Sequence, residues 1–322
     1  MKAAVLHAYG ELPRYEEFPD PVPADSEQLV TITAAPLNNI DKVMADGTHY
    51  SVQGDQARPL PAVPGVVAAG VLPGGGRVLL GSRSGTMAQY AVASPRLTFP
   101  IPDGVDDALA AAAWNPGLSA WLLFGWRARP EPGGTVLVLG ATGVTGQLAV
   151  QAARRSGAGR VVAAGRNPVV LQKLAERGAD AVISLDQDDA ALTAAFAAAA
   201  GEHGFDIVAD YLWGRPTEIL LGALDRRDAE IRSGRTRLVQ AGEMAGSQVS
   251  LPASVLRSAG LEILGMGTGT MPPLAQITAM LTEILDGLAS GAITMDVERV
   301  PLADVAGTWA RDQRGRRPVF IP

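Results

Sequence analysis

The sequence predicts an α/β fold in which a doubly wound parallel sheet is flanked by a β-rich region. Three observations carry that reading. From Thr135 the run VLVL at 136–139 is continuously apolar, as a parallel strand covered on both faces requires. A glycine-rich turn and an amphipathic helical segment follow, and the alternation of short apolar runs with helical stripes repeats to residue 265. The first 130 residues instead have a β rhythm, rich in Pro and Gly with short apolar runs between turn clusters such as PGGG at 73–76.

In chain order, the apolar runs Ala3–Leu6, Leu29–Thr33, Val66–Ala69, Arg77–Leu80 and Gln89–Ala93 read as strands. Among them Asp41 is expected to cap a short helix through Lys42, Val43, Met44 and Ala45 that stops at Gly47. After VLVL, Val144, Leu148, Ala149 and Ala152 share one helical face, which ends near Gly157 and leads to a strand at Val161–Ala164. Asn167 caps the next helix and Pro168 opens it. Then come Ala181–Ile183, a helix in Ala190–Ala200, and strands in FDIVAD (205–210), TRLVQAG (236–242) and LEILG (261–265). The charge-dense stretch 225–237 reads as a solvated loop. Past Pro272 and Pro273, Leu274, Ile277, Leu281, Leu285 and Leu288 form a helical stripe expected to leave the sheet domain, and VERVP and PVFIP flank a last helix.

A chain of 322 residues accommodates two domains, and 47% hydrophobic with 19% charged residues is a globular composition. The 27 basic against 33 acidic residues leave a charge of −6, which repels phosphate backbones and anionic lipid, so neither nucleic acid nor membrane is an expected partner. Cysteine is absent, excluding disulfides, iron–sulfur clusters, thiolate zinc and a cysteine nucleophile. The three histidines, His7, His49 and His203, are too scattered to suggest an imidazole-built metal site. Uncharged stretches at Ala108–Trp126 and Pro132–Ala153 are broken by Pro or clustered Gly, and MKAAVLHAYGE carries no sustained apolar core; a cytoplasmic protein is expected.

The chemistry is concentrated in GATGVTG, Gly140–Gly146, between a strand and a helix. In that context Gly140 permits the tight turn, Gly143 lets backbone approach a pyrophosphate favoured by the helix N-terminus, and Gly146 lets helix and strand pack closely. Thr142, Val144 and Thr145 join Gly140 and Gly143 as candidate cofactor contacts, the threonine hydroxyls either bonding phosphate or capping the helix. About 20 residues further on, where an acid would hold the ribose hydroxyls of NAD, stand Gly165, Arg166 and Asn167. A guanidinium there pairs with a 2′-phosphate, so NADPH is favoured over NADH, with Lys173, Arg316 and Arg317 as supplementary charges.

A fingerprint that begins only after a β-rich region, with a returning C-terminal segment, resembles the medium-chain dehydrogenase/reductase superfamily. The segments APLNNIDKVMADG (35–47), VPGVVAAG (63–70), NPGLSAW (115–121) and VLVLGATGVTGQLAVQAAR (136–154) resemble its zinc-free quinone oxidoreductase and enoyl reductase branch. Asn38, Val66 and Val67 stand where zinc members have their Cys, His and Glu, so no metal is expected. The resemblance implies a Rossmann dinucleotide-binding domain at 119–267 and a β-rich, GroES-like catalytic domain built from 1–118 and 268–322. It further implies a substrate cleft between them, with the nicotinamide near Asn38, Ser119, Gln240 to Gly242, and Met266, Gly267 and Thr268. Where enoyl-thioester reductases of this branch have a catalytic Tyr, this sequence has His49, with Tyr50 beside it; either is a candidate proton donor. Asn38 holds the nicotinamide ribose or a substrate oxygen, or makes a turn contact. Asp210 lies at a strand end where ligands bind, or shapes the turn.

The expected function is a metal-independent, NADPH-dependent reductase that passes hydride to a quinone or an activated α,β-unsaturated carbonyl. The alternative is a non-catalytic NADPH-binding sensor or structural protein on the same fold. None of the five tyrosines has the Lys four residues later that a short-chain dehydrogenase would use. By analogy, pairing of the LEILG strands is expected to give a homodimer.

Overall fold

The Pro- and Gly-rich first third folds as short strands: β1 (Lys2–Val5), β2 (Arg14–Glu17), β3 (Gln28–Pro36), then helix α1 (Asn39–Ala45), β4 (Val67–Val71), β5 (Arg77–Gly81), β6 (Tyr90–Ala93) and β7 (Thr98–Pro100). A computed structural model describes residues 1–49, 52–53, 58–225, 235–267, 269–313 and 315–322. Tyr50, Thr268 and most of the charged stretch expected as a loop, 226–234, lie outside the described residues. The chain divides into two compact units, Met1–Asn115 with Leu281–Pro322, and Pro116–Met280.

Helix α2 (Asp107–Leu122) was not anticipated, because Pro116 sits inside it. The run Ala110–Ala113 has the best intrinsic helix propensity and is fully buried, and the helix continues past the proline into a π turn at Leu123–Arg127. Asp107 anchors its first turn, accepting from Arg77 Nε at 2.9 Å and Thr33 Oγ1 at 2.6 Å.

The second unit follows the predicted alternation: β8 (Thr135–Leu139), α3 (Val144–Arg155), β9 (Arg160–Gly165), α4 (Pro168–Glu176), β10 (Ala181–Ser184), α5 (Asp189–Ala200), β11 (Ile207–Asp210), α6 (Gly214–Leu224), β12 (Thr236–Gln240), α7 (Ala253–Ser258) and β13 (Leu261–Gly265). All pairings in this sheet are parallel, in the order β10-β9-β8-β11-β12-β13, the doubly wound Rossmann arrangement. Leu137, Leu139, Val162, Val208 and Leu238 pack against Leu192, Phe196, Leu220 and Leu224. Each such side chain contributes about 1.5–3 kcal/mol on burial. Asn167 caps α4 as expected, its Oδ1 accepting from the N–H groups of Val169 and Val170 at 3.1 and 3.2 Å.

Helix α8 (Leu274–Ala289), β14 (Val297–Pro301), α9 (Val305–Ala310) and β15 (Arg317–Ile321) complete the chain. The division between units falls inside α8, at Met280/Leu281, whereas the sequence reading placed it at 267/268. Met280 packs on Gly125, where a Cβ would lie 2.8 Å from its Cε, so the first half of α8 belongs with the second unit. In the first unit a mixed sheet runs β14-β15-β3-β4-β5-β7, with β6 also paired to β3. β15 inserts between β14, to which it is parallel, and β3, to which it is antiparallel. Val30, Ile32, Leu37, Leu80, Met87, Trp309 and Phe320 fill its core.

Candidate cofactor site

Strand β8 and helix α3 are joined by the fingerprint turn. Gly140 has φ +84°, and its N–H and that of Ala141 both donate to Ala164 O at the end of β9, at 2.9 and 2.8 Å. Gly143 is the N-cap of α3, in extended conformation (φ −73°, ψ 162°), with its N–H on Gly140 O at 3.0 Å. A Cβ at Gly146 would lie 2.3 Å from Gly140 O, so only glycine lets the helix approach the strand end this closely. Gly165 fits the side chain of Thr142, whose Cγ2 stands 2.4 Å from where a Cβ would be. The loops after β8 and β9 are thereby pressed together.

In this sheet the order of strand addition reverses between β8 and β11, the place where open α/β sheets leave a crevice for a ligand. The turn after β11 borders it. Leu212 Cδ2 comes within 3.0 Å of the Cβ position of Gly140. Asp210 is fully buried, and its carboxylate accepts the N–H groups of Leu212 and Trp213 and the hydroxyl of Thr217. Trp213, at φ 54° and ψ −162°, takes a conformation that costs a non-glycine residue about 1–3 kcal/mol. No local pattern announces it, since the usual signal for a positive φ is a glycine. Asp210 therefore shapes this turn, the second of its two expected roles.

The loop after β12 is laced to the same turn. Ala241 N donates to Asp210 O and Ala245 N to Leu212 O, both at 2.8 Å, and a Cβ at Gly242 would lie 2.7 Å from Tyr211 O. The Tyr211 hydroxyl is buried without a hydrogen bond of normal geometry; Ser119 is the polar side chain acting on it, and burial raises its pKa. Past β13, Met266 N donates to Gln240 O at 2.9 Å and Gly267 is exposed. Gly140, Gly143, Gly165, Gly242 and Met266 thus stand at C-terminal strand ends of one sheet, with Thr142, Val144 and Thr145 on the turn and first helical turn after β8. Arg166 follows β9 directly, exposed, with no ion pair or hydrogen bond to its guanidinium among the described residues. An exposed cation, a glycine-cleared turn and a helix N-terminus suit a phosphorylated dinucleotide.

The first unit holds the remaining candidates. Helix α1 is capped by Asn38 and begins three residues before the position expected from Asp41. Asp41 is the third residue of the helix, and its carboxylate reaches back to the Asn38 N–H at 2.7 Å and across to the Val66 N–H at 3.0 Å. Burial raises Asp41 to about 6. The Asn38 amide is wholly buried at the start of α1, beside the Asp41 carboxylate, with no hydrogen bond of good geometry to its Nδ2 or Oδ1. His49 is half-buried after α1, its N–H on Val43 O at 3.3 Å.

Arg317 corrects its expected place as a supplementary phosphate contact. It opens β15, is 3% exposed, and its Nη1 donates to Leu37 O at 2.7 Å and Gln313 Oε1 at 3.2 Å. Burial lowers its guanidinium to about 10, with Asp41 opposing that shift. A cation engaged this way inside a core is withdrawn from any surface phosphate.

No family model matches the chain. It is 26% identical to the "Probable NADPH-dependent quinone reductase tdiC" of Emericella nidulans, over the whole of both chains. A quinone oxidoreductase of Sus scrofa is 31% identical over 149 residues, 42% of this chain and 44% of that one. A "Mycocerosic acid synthase-like polyketide synthase" of Mycobacterium tuberculosis is 34% identical over 142 residues, 42% of this chain and 7% of that protein. The chain thus spans less than half the length of two of these three relatives. Among solved structures, mycobacterial Rv1454c complexed with NADPH superposes over 100% of both chains, with a TM-score of 0.81 and 25% identity. A parallel sheet in this order bearing a glycine fingerprint, in a chain whose other unit is a mixed sheet, is the two-part α/β fold of the medium-chain dehydrogenases/reductases. Along its whole length the chain is similar to proteins of the quinone oxidoreductase branch of that superfamily.

Proposed function

We propose that this protein is an NADPH-dependent, metal-independent reductase of quinones or activated α,β-unsaturated carbonyls. The observation that carries the reading is Arg166, an exposed cation without an ion pair among the described residues, directly after β9 and one residue past the glycine that seats Thr142. No acid stands there to repel a 2′-phosphate. The names of the full-length Emericella relative and of the NADPH-bound mycobacterial structure support the same cofactor, and the former supports a quinone.

In this reading the backbone of Gly140–Thr145, with Val144 opening α3, receives the pyrophosphate. Gly165, Arg166 and Asn167 take the adenosine end, and Ser119, Gly242, Met266 and Gly267 the nicotinamide end. NADPH, when bound, supplies the hydride. Quinones and enones are already electrophilic, so the protein's task is to orient the acceptor and place a donor at its oxygen as charge develops there. Asn38 offers its buried amide to the nicotinamide ribose or to that oxygen, and His49 or Tyr50 delivers the proton. Asn38, Val66 and Val67 at the zinc-ligand positions of the superfamily support chemistry without a metal.

The test is decay of NADPH absorbance with purified protein against ortho- and para-quinones, 2-enals and enones, with NADH in parallel and Arg166→Ala beside the wild type. NADPH-selective turnover is expected. Arg166→Ala should weaken NADPH binding tenfold to 150-fold, one charge-assisted contact being worth about 1.5–3 kcal/mol, and leave NADH within about twofold. Equal losses for both cofactors would remove the 2′-phosphate assignment, and tight NADPH binding without turnover would favour a non-catalytic sensor.

A further inference from the structure

The turn after β11 joins a buried carboxylate to a tryptophan in a glycine conformation. Among the described residues Trp213 is the one non-glycine with positive φ, and Gly214 beside it is also left-handed at φ +59°. A residue with a Cβ stays in such a conformation only where its surroundings overdetermine it. Asp210 does so from both ends of the turn. Its Oδ1 accepts the N–H groups of Leu212 and Trp213, each at 2.9 Å, and its Oδ2 accepts the Thr217 hydroxyl at 2.7 Å, from early in α6. Asp210 and Thr217 are both fully buried. Burial raises the Asp210 carboxyl, and the donors that oppose this are Thr217, Trp213 and Leu212, with no cation among them.

What the turn holds is Leu212, whose Cδ2 stands 3.0 Å from the Cβ position of Gly140, against the first glycine of the fingerprint. Its carbonyl also accepts from Ala245 N at 2.8 Å, which ties the β12 loop to the same point. We propose that Asp210 is a positioning residue for cofactor binding: by holding Trp213 in its left-handed conformation it seats Leu212 against Gly140 and fixes the crevice between β8 and β11. This deepens the NADPH-binding reading and rests on it.

The test is a double-mutant cycle read as NADPH dissociation constants by fluorescence titration, with thermal unfolding followed in parallel. Asp210→Ala is expected to raise Kd about tenfold or more, whereas Asp210→Asn, which keeps an acceptor oxygen for both N–H groups, raises it less than about threefold. In a Trp213→Gly background, where the backbone takes this conformation without strain, Asp210→Ala should cost less than about threefold. The same factor in both backgrounds would overturn the proposal, since Asp210 would then act independently of the strained residue, and so would a wild-type Kd in Asp210→Ala. If Asp210→Ala does not fold, Thr217→Val removes one of the three donors. Its Kd should rise severalfold and return in the Trp213→Gly background; no rise at all would overturn the proposal. Wild-type protein that fails to bind NADPH would instead sink the cofactor reading, an outcome distinct from any pattern among the variants.

Discussion

At the scale of the residue, two arginines that look alike as letters end in opposite places. Arg166 was legible because it follows an apolar run at a fixed distance from the glycine fingerprint, and it is exposed after β9 as that spacing requires. Arg317 was not, because what buries it is the insertion of β15 between β14 and β3, a long-range event that no local pattern records. Its neighbour Asp41 has a measurable consequence. The Asp41 carboxyl is held at about 6, against about 3.9 for an aspartate in an unfolded chain. Between these values the folded protein keeps a proton that the unfolded chain releases, so stability falls as pH rises through roughly 4 to 6 and this contribution is level above. The expected size is about 3 kcal/mol over the whole window. Urea unfolding at pH 4.5 and 7 should show wild type gaining more on acidification than Asp41→Asn; parallel behaviour of the two would contradict it.

Elements were legible in proportion to how local their causes are. The parallel strands announced themselves as uninterrupted apolar runs, and α4 by the pair Asn167 and Pro168, since capping is decided within one turn. Asn167→Ala should therefore cost about 1 kcal/mol, read as a shift in the urea midpoint at unchanged slope. An unchanged midpoint would mean that Pro168 alone sets the start of α4. Helix α1 shows the limit of such signals: Asn38 and Asp41 are both good cap residues, and the choice between them was made by Val66, whose N–H draws the Asp41 carboxylate across to β4. Helix α2 was hidden by Pro116, because a proline normally marks an end; here burial of the alanine run outweighs the lost hydrogen bond. The turn at Trp213 was hidden for a related reason, its restraint coming from Asp210 and Thr217 on either side.

For the whole molecule, the chain divides into two compact units whose boundaries fall inside α2 and α8, because long helices do not stop where packing partners change. The described residues contain no helix long and apolar enough to cross a membrane. The homodimer belongs to the proposed reading. β13 is an edge strand, with Ile263 and Leu264 half-buried and Gly265 exposed, and pairing it with its counterpart about a two-fold axis would continue the sheet. Sedimentation at micromolar concentration should give a mass twice that of one chain; the mass of one chain would count against it.

The split of the first unit into Met1–Asn115 and Leu281–Pro322 sets an order of events during synthesis. The second unit is one unbroken stretch of chain, and its six strands have all left the ribosome before β15 is made. Until then β3 has an unfilled side, opposite Ala35 and Pro36, where Phe320 and Val319 will pair. At about 5–20 residues per second that vacancy lasts many seconds in a nascent polypeptide, long enough for a chaperone to be its first occupant.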